Sequence, residues 1–401
     1  MTSEEYIQKH RNGNLHTLAF QQVPEGVDLK FCLQQIEGWQ TACRKLPSWA
    51  ACDGLIYPSR LALEQCSSEA TAIYKREVVE RLMPKADSRR MMGDLTGGVG
   101  VDFSFLASCF SSALYVEQQE QLCTVAHHNF SLLGLAQAEI ENAAVSIDSP
   151  LLRRHFSFLF IDPSRRDEKG KKTVLIEECS PNILQLQDAL LRAAPVVMVK
   201  LSPMLDIAAA LRVLHCVSEV HVVSANGECK ELLFVLSPDK NCRVFCANLH
   251  SADPVFSIGL DDVRVSKSPH FIDTLPEDGF LYEPNASILK AGVQDALCHR
   301  FPLDGKLHPH SHLYVSRHRV TDFPGRAFRI AGWSRFDKRG LKCLLHDVKQ
   351  ANVTLRNFPS TSDALRRRLR LHDGGDVYLF ATTLRDEAHV LIRCVKDKVS
   401  Q

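Results

Sequence analysis

The run Gly93-Asp94-Leu95-Thr96-Gly97-Gly98-Val99-Gly100-Val101-Asp102 follows an apolar stretch and opens an amphipathic one, Phe103–Phe110. Glycines clustered at a strand-to-helix turn let the backbone approach a ligand and aim the first N–H groups of the helix at it, so a nucleotide-like molecule fits there. The dinucleotide fingerprint Gly-x-Gly-x-x-Gly is not met. The spacing is Gly-Gly-x-Gly, with Asp94 three residues before the first glycine, which disfavours a pyrophosphate. A carboxylate at that point suits a ligand with a positive group, such as the amino end of S-adenosylmethionine. Alone, such a turn can equally be structural.

Glu117 stands 23 residues after Asp94, at the end of Leu114-Tyr115-Val116-Glu117. An acid about 20 residues on, at the tip of the second strand, is where a carboxylate grips a ribose diol by accepting two O–H bonds. In isolation it would be a solvated surface acid as readily. Asp148, predicted to end the third strand, is placed either to accept from an adenine amino group or to cap its loop.

A fourth apolar run ends in Phe160-Ile161-Asp162-Pro163-Ser164-Arg165-Arg166-Asp167. Asp-Pro at that point sets a carboxylate at the carboxyl edge of a sheet, where open α/β sheets bind ligands, and the proline stiffens the turn. Methyl transfer from a sulfonium is an in-line displacement, in which a protein need mainly align the nucleophile and accept its proton or hold its N–H. Asp162 is the candidate for that work, with Arg165 beside it; a turn-capping aspartate is the plain alternative. Arg165 and Arg166 could clamp a substrate phosphate or stand as a solvated pair. Lys200 and Asp206 share the same predicted sheet edge and are candidates to line the substrate pocket. Asn226, Glu228 and Lys230 could face it too, although turns favour such residues anyway.

These residues need a scaffold, and composition bounds it. Of 401 residues, 45% are hydrophobic and 24% charged, with a net charge of +1. That is a globular chain of two to three domains, which excludes disordered, collagen-like and disulfide-stapled classes. No stretch approaches the ~18 apolar residues of a membrane-spanning helix. The first residues are polar and acidic rather than signal-like, so a cytoplasmic protein is expected. None of the 14 cysteines forms a Cys-x-x-Cys pair, so they read as reduced and buried, with no metal.

Residues 1 to about 85 carry helical spacing, as in Phe31, Leu33, Ile36 and Trp39. From Met91 to Cys246 the runs Met91–Leu95, Ala113–Val116, Ala143–Ile147, Phe156–Ile161, Val196–Lys200, Val220–Val223 and Glu231–Leu236 alternate with helix-length stretches such as Gln118–Leu133 and Ile183–Ala194. This pattern calls for a parallel sheet covered on both faces. The connection Ser224–Lys230 is too short for a crossover helix, so the last two runs should form an antiparallel hairpin at the sheet edge. A break near Leu249–Pro254 leads to a third region, about 255–330, of short strands and turns. A fourth, mixed region starts at Trp333. There 14 Lys+Arg stand against 8 Asp+Glu, an excess of +6 in an otherwise neutral chain.

Together with Leu63-Glu-Gln-Cys-Ser-Ser-Glu-Ala-Thr-Ala-Ile-Tyr-Lys75, Leu281-Tyr-Glu-Pro-Asn-Ala286, Phe323-Pro-Gly-Arg326, Arg356-Asn-Phe-Pro359 and Asp373-Gly-Gly-Asp-Val-Tyr378, the blocks Asp94–Asp102, Glu117 and Asp162–Arg166 resemble one family. It is that of the bacterial class I S-adenosylmethionine-dependent methyltransferases that carry a ferredoxin-like domain and a C-terminal THUMP-like domain. The resemblance extends from about residue 55 to 395. It implies an α/β fold: an N-terminal helical region over 1–85, a Rossmann-like seven-stranded core over 86–250, and C-terminal α+β domains, ferredoxin-like over 255–330 and THUMP-like over 333–401.

The resemblance further implies cofactor contacts from Asp94, Thr96, Gly97, Gly98, Gly100 and Glu117. In related enzymes a segment before the first strand covers the methionine part, which gives that job to Ser67, Ser68 and Thr71. THUMP domains bind RNA, so the implied substrate is a structured RNA, ribosomal or transfer, docked by the C-terminal domain. Lys200, Arg166, Arg366 and Arg367 are the candidates to hold it. One departure keeps other classes open. Ser164 and Arg165 replace the second proline and the aromatic that usually stacks on a flipped base. The alternatives are an RNA-binding protein whose core holds the cofactor without catalysis, and a methyltransferase of a protein or small molecule.

Two more clusters stand out. Arg366-Arg367-Arg368-Leu369-Arg370 falls in a helical segment from near Ser362. Three consecutive arginines fan over more than half a helix, so at least one must lie along the domain surface, and phosphate contact and a solvated face are both open. His308-Pro-His-Ser-His312 would put three histidines on one face if extended, at a spacing suited to zinc or nickel. Without an acid or cysteine pattern to complete a site, the expected reading is a turn into Leu313–Val315.

Overall fold

The computed structural model describes residues 1–84, 89–164, 175–239, 241–251, 255–265 and 269–397. Arg165 and Arg166 lie outside the described residues. The chain divides into two compact units, Met1–Val220 with Glu231–Lys240, and His221–Lys230 with Asn241–Gln401. No helix among the described residues is long and apolar enough to cross a membrane.

Six helices open the first unit: α1 (Ser3–His10), α2 (Leu15–Ala19), α3 (Leu29–Lys45), α4 (Pro47–Ala50), α5 (Arg60–Gln65) and α6 (Glu69–Leu82). Their starts are set by caps that satisfy orphan N–H groups. Thr2 and Glu5 close a capping box on α1, Asp28 accepts from Phe31 N at α3, and Ser68 accepts from Thr71 N at α6. Trp49, Leu55, Tyr57 and Leu63 pack into one apolar cluster with Val99 and Val101. The helical region is therefore buried against the segment that follows the glycine turn.

The rest of the unit alternates: β1 (Met91–Asp94), α7 (Val101–Ala107), β2 (Ser112–Glu117), α8 (Glu120–Leu132), β3 (Ala138–Asn142), β4 (Phe158–Ile161), α9 (Ile183–Ala193), β5 (Val197–Leu201), α10 (Ile207–Val213), β6 (Val217–Ala225) and β7 (Glu228–Leu236). The strands line up as β3-β2-β1-β4-β5-β7-β6. From β3 to β5 neighbours are parallel, and β7 runs antiparallel to β5. Strand order reverses at β1, flanked by β2 and β4, and such a switch point opens a crevice at the carboxyl ends. Phe158–Ile161 and Val197–Val199 are wholly buried, as central strands covered on both faces require.

The third strand departs from expectation. Ala143–Ile147 is not a strand; β3 occupies Ala138–Asn142, paired from Ala113↔Ala138 to Glu117↔Asn142. As an edge strand β3 buries little of either face, and its alternation of Glu139 and Glu141 with Ile140 carries no apolar run to announce it. Asp148 consequently lies in an exposed turn beyond the strand, not at its tip. The β6–β7 hairpin forms as expected, with Asn226 and Gly227 supplying two positive φ angles of 54° and 79°.

In the second unit the hairpin tip accompanies β8 (Arg243–Leu249) and β9 (Phe256–Gly259), which pair antiparallel. Ser224 Oγ donates to Ala247 O and Asn248 Oδ1, and His221 stacks on Phe245. The hairpin is thus not the free edge its sequence suggested. Then follow α11 (Leu260–Val265), β10 (Gly279–Pro284), α12 (Ala286–Ala291), α13 (Leu297–Arg300), β11 (Gly305–Lys306), β12 (Tyr314–Ser316), β13 (Gly325–Arg335), α14 (Lys338–Leu344), β14 (Asn352–Arg356), α15 (Ser362–Leu369), β15 (Val377–Thr383) and β16 (His389–Lys396). Their sheet runs β11-β12-β10-β13-β16-β15-β14. Leu281, Val315, Phe328, Phe380, Val390 and Ile392 share one core beneath it, so residues from both sides of Gly325 are built on a single sheet.

Candidate active site

β1 ends on Asp94, whose Oδ1 accepts from Thr96 N at 3.0 Å. Burial pushes this carboxyl well above the usual carboxylate range; the Thr96 amide opposes the shift, Asp102 and Asp162 add to it, and Lys200 opposes it. Asp162 N in turn donates to Thr96 Oγ1 at 2.6 Å, tying the end of β4 to the glycine turn. A Cβ on Gly97 would meet the Tyr115 ring at 2.1 Å, so only glycine lets the turn lie on β2. Gly98 has φ +56°, and a Cβ there would meet nothing nearer than Thr96 O at 3.8 Å, which leaves that face of the turn open. Gly100 caps α7 with φ +87°. Glu117 lies against this turn: its Oε2 accepts from Gly98 N and its Oε1 from Gln119 N, both at 2.9 Å. A carboxylate has about four acceptor positions, so capacity for a ligand's hydroxyls remains.

Beside the turn is a chain of six polar and charged residues drawn from five elements. Asp162 follows β4, Lys200 is on β5, Asp102 opens α7, Ser67 precedes α6, Lys75 is on α6 and Glu231 is on β7. Lys200 Nζ lies 2.6 Å from Asp162 Oδ2, 3.1 Å from Ser67 Oγ and 3.4 Å from Asp102 Oδ2. Ser67 Oγ donates to Asp102 Oδ2 at 2.6 Å. Deeper still, Lys75 is 0% exposed, with Nζ 2.5 Å from Glu231 Oε1, 3.2 Å from Asp102 Oδ1 and 3.3 Å from Ser67 Oγ.

Each charge is set by its neighbours. Burial draws the Lys200 ammonium down, but Asp162, Asp102 and Glu231 outweigh it and hold it well above the ordinary lysine value. Burial likewise pushes Asp102 up, and Lys75 and Lys200 outweigh it to keep the carboxyl below its usual range. At Glu231 burial wins over the same two lysines and the carboxyl stays raised. Lys200 is therefore held in its charged form beside Asp162. The Asp162 side chain is 38% exposed, which makes it the accessible end of the chain.

A family model described as a ferredoxin-like domain matches residues 280–324, and one described as THUMP domain-like matches 325–396. The crystal structure of a "putative methyltransferase" from Porphyromonas gingivalis W83 is similar with a TM-score of 0.85 and 32% identity, over 98% of this chain and 97% of that one. The chain belongs to this class I S-adenosylmethionine-dependent methyltransferase family, with ferredoxin-like and THUMP-like domains. Weaker likenesses include an S-adenosylmethionine-dependent methyltransferase from Agrobacterium tumefaciens, with 14% identity, 42% and 62% of the two chains covered and a TM-score of 0.33. Another is an rRNA methylase from Streptococcus thermophilus, with 14% identity, 41% and 93% covered and a TM-score of 0.30. No curated protein matches the sequence.

Within this methyltransferase, Asp94, Thr96, the three glycines, Glu117, Asp162, Lys200 and Ser67 are brought to one sheet edge. Other candidates are engaged elsewhere. Ser68 Oγ accepts from Thr71 N at 3.3 Å and Thr71 Oγ1 donates to Ser68 O at 2.9 Å, so both cap α6. Asp206 caps α10 by accepting from Ala209 N at 2.9 Å. Lys230 pairs with Glu228 at the hairpin tip. Arg366 bridges Asp363 and Asp373, and Arg368 lies over Phe336 at 4.7 Å, so much of the arginine run is committed within its own domain. The histidines form a turn, with His308 Nδ1 3.1 Å from His310 N and 2.9 Å from Asn357 Nδ2. Among the described residues no group of His, Cys, Asp or Glu is arranged to hold a metal.

Lys75, Asp102 and Glu231 were unassigned in the sequence. Lys75 and Asp102 fall inside the quoted blocks, and Glu231 is a charge opening an apolar strand, which is the one local hint. Their partners lie up to 156 residues away.

Proposed function

We propose that this methyltransferase transfers the methyl group of S-adenosylmethionine to a structured RNA, with Asp162 orienting the nucleophile. The observation that carries the reading is the accessible Asp162 carboxylate fixed 2.6 Å from Lys200 Nζ, at the sheet edge that also holds Glu117 and the open turn at Gly98. The residues suit the cofactor: Glu117 has acceptor capacity for a ribose diol, Gly98 leaves room, and Asp94 can meet an ammonium. When bound, S-adenosylmethionine supplies an electrophilic methyl group. Asp162 would accept the proton of an attacking O–H or N–H, or hold the N–H in line. Lys200 would keep that carboxylate in place. The THUMP-like match and the +6 charge excess after Trp333 support RNA as the substrate.

Calorimetry with S-adenosylmethionine and tritiated methyl incorporation into RNA, protein and small-molecule pools test this together. Label in RNA is expected. Label confined to another pool overturns the RNA assignment, and binding with no label in any pool makes the core a binding module.

Two substitutions probe the cofactor end. Glu117→Ala should weaken S-adenosylmethionine binding about 10- to 100-fold, the range for losing hydrogen bonds to a charged group; unchanged affinity removes Glu117 from the site. Asp94→Asn should weaken binding while stabilising the free protein at neutral pH. A raised carboxyl favours the folded state only while protonated, so Asp94's contribution to stability is lost as pH climbs above about 4, and the amide has no such loss. Thermal midpoints of the two proteins should converge in acid and separate towards pH 7.

A further inference from the structure

Three sequence blocks that the catalytic core does not use, Leu281–Ala286, Phe323–Arg326 and Arg356–Pro359, meet at one buried carboxylate. Glu283 closes β10 and its side chain is 4% exposed. Its Oε2 accepts from Arg326 Nε at 2.9 Å and from Nη2 of the same residue, while Arg356 Nη2 lies 2.6 Å from Oε1. Arg326 opens β13 and Arg356 closes β14, so two strands far apart in the sheet order each deliver a guanidinium to the same acid.

We propose that Arg326 and Arg356, clamped on Glu283, form a phosphodiester-binding site for the backbone of the RNA; the inference rests on the RNA reading above. Here the acid is buried while the arginine side chains are 50% and 38% exposed. Two guanidiniums on one carboxylate leave the cluster at +1. Each guanidinium has five N–H donors, and Glu283 engages only two groups of Arg326.

Arg356 Nε is buried and makes no hydrogen bond among the described residues. The two bonds from Arg326 Nε and Nη2 to one oxygen fix that guanidinium's plane, which lowers the ordering cost of meeting a phosphate with a forked pair of bonds. Arg326 also lies over the Phe328 ring at 5.3 Å and Arg356 Nη1 donates to Leu355 O at 3.1 Å, which leaves further N–H groups on each guanidinium.

The test is fluorescence anisotropy of the full chain with a labelled RNA stem-loop across a salt series, since backbone contacts are independent of sequence. The triple variant Arg326→Gln/Arg356→Gln/Glu283→Gln keeps polar side chains throughout and leaves no buried charge unpaired. It should bind more weakly, with the slope of log K against log salt shallower by about 1.4 to 1.8, the value of two lost phosphates. Arg326→Gln alone leaves Arg356 on Glu283, so the acid stays paired; its slope should change by about 0.7 to 0.9, and it keeps the question answerable if the triple variant does not fold. A folded variant with the wild-type slope overturns this site and spares the RNA reading. A wild-type chain with no salt-dependent affinity for the stem-loop overturns both.

Discussion

Asp162→Asn should slow methyl transfer about 100- to 10,000-fold, the range over which a positioned general base acts, and leave S-adenosylmethionine affinity unchanged. The substitution keeps shape and separates two roles. An amide oxygen can still hold an N–H in line, but it cannot take a proton as the nucleophile attacks. A loss near the top of the range therefore makes Asp162 a base, and a loss of about tenfold or less makes it an orienting acceptor. Single-turnover labelling of RNA from cells lacking the protein measures the step directly. The backbone tie from Asp162 N to Thr96 Oγ1 survives the change, so the glycine turn should keep its place. Full activity in the variant removes Asp162 from the reaction. Lys200→Met gives the complementary result: the carboxylate stays but loses its fixed counter-charge, so the rate should fall with Asp162 still present.

The architecture around these residues was legible because it is written in short-range pattern. Central strands such as Phe158–Ile161 are buried on both faces and read as unbroken apolar runs, and the Gly97–Gly100 turn and the acid at Glu117 stand at spacings set by strand and helix lengths. Family resemblance added the appended domains, which composition alone left as two regions of unknown kind. Where pattern is weak the sequence misleads. The strand Ala138–Asn142 alternates polar and apolar residues at an edge, so a nearby apolar stretch took its place and carried Asp148 with it. Ser67, Ser68 and Thr71 are near neighbours in sequence, yet the start of α6 falls between them: Ser67 turns into the charge network and the other two satisfy the helix end. The arginine run left phosphate contact and a solvated face both open, and the structure adds that Arg366 is paired with two aspartates and Arg368 lies over a ring in the same domain. Lys75 and Glu231 are 156 residues apart in sequence, so a charge at the head of an apolar strand hints at Glu231 but only the fold supplies its partner.

Lys75 is where removal of a single charge should cost most stability. Lys75→Met would leave Glu231 and Asp102 buried without the ammonium between them, and breaking a buried pair by deleting one partner costs about 3–5 kcal/mol. Lys200 cannot fully compensate, because it already serves Asp162, Ser67 and Asp102. The pH dependence distinguishes this from a packing defect. With the ammonium gone, both carboxyls should be driven upward by burial and mutual repulsion, so the folded variant binds protons that the unfolded chain releases. Its deficit in denaturant unfolding should then be smallest in acid and should widen as pH rises above about 4. Adding Glu231→Gln removes one of the two buried carboxylates and should recover much of the loss at neutral pH. A cavity or a steric misfit would give a deficit independent of pH and indifferent to Glu231, and that outcome would show the lysine to be packing rather than counter-charge.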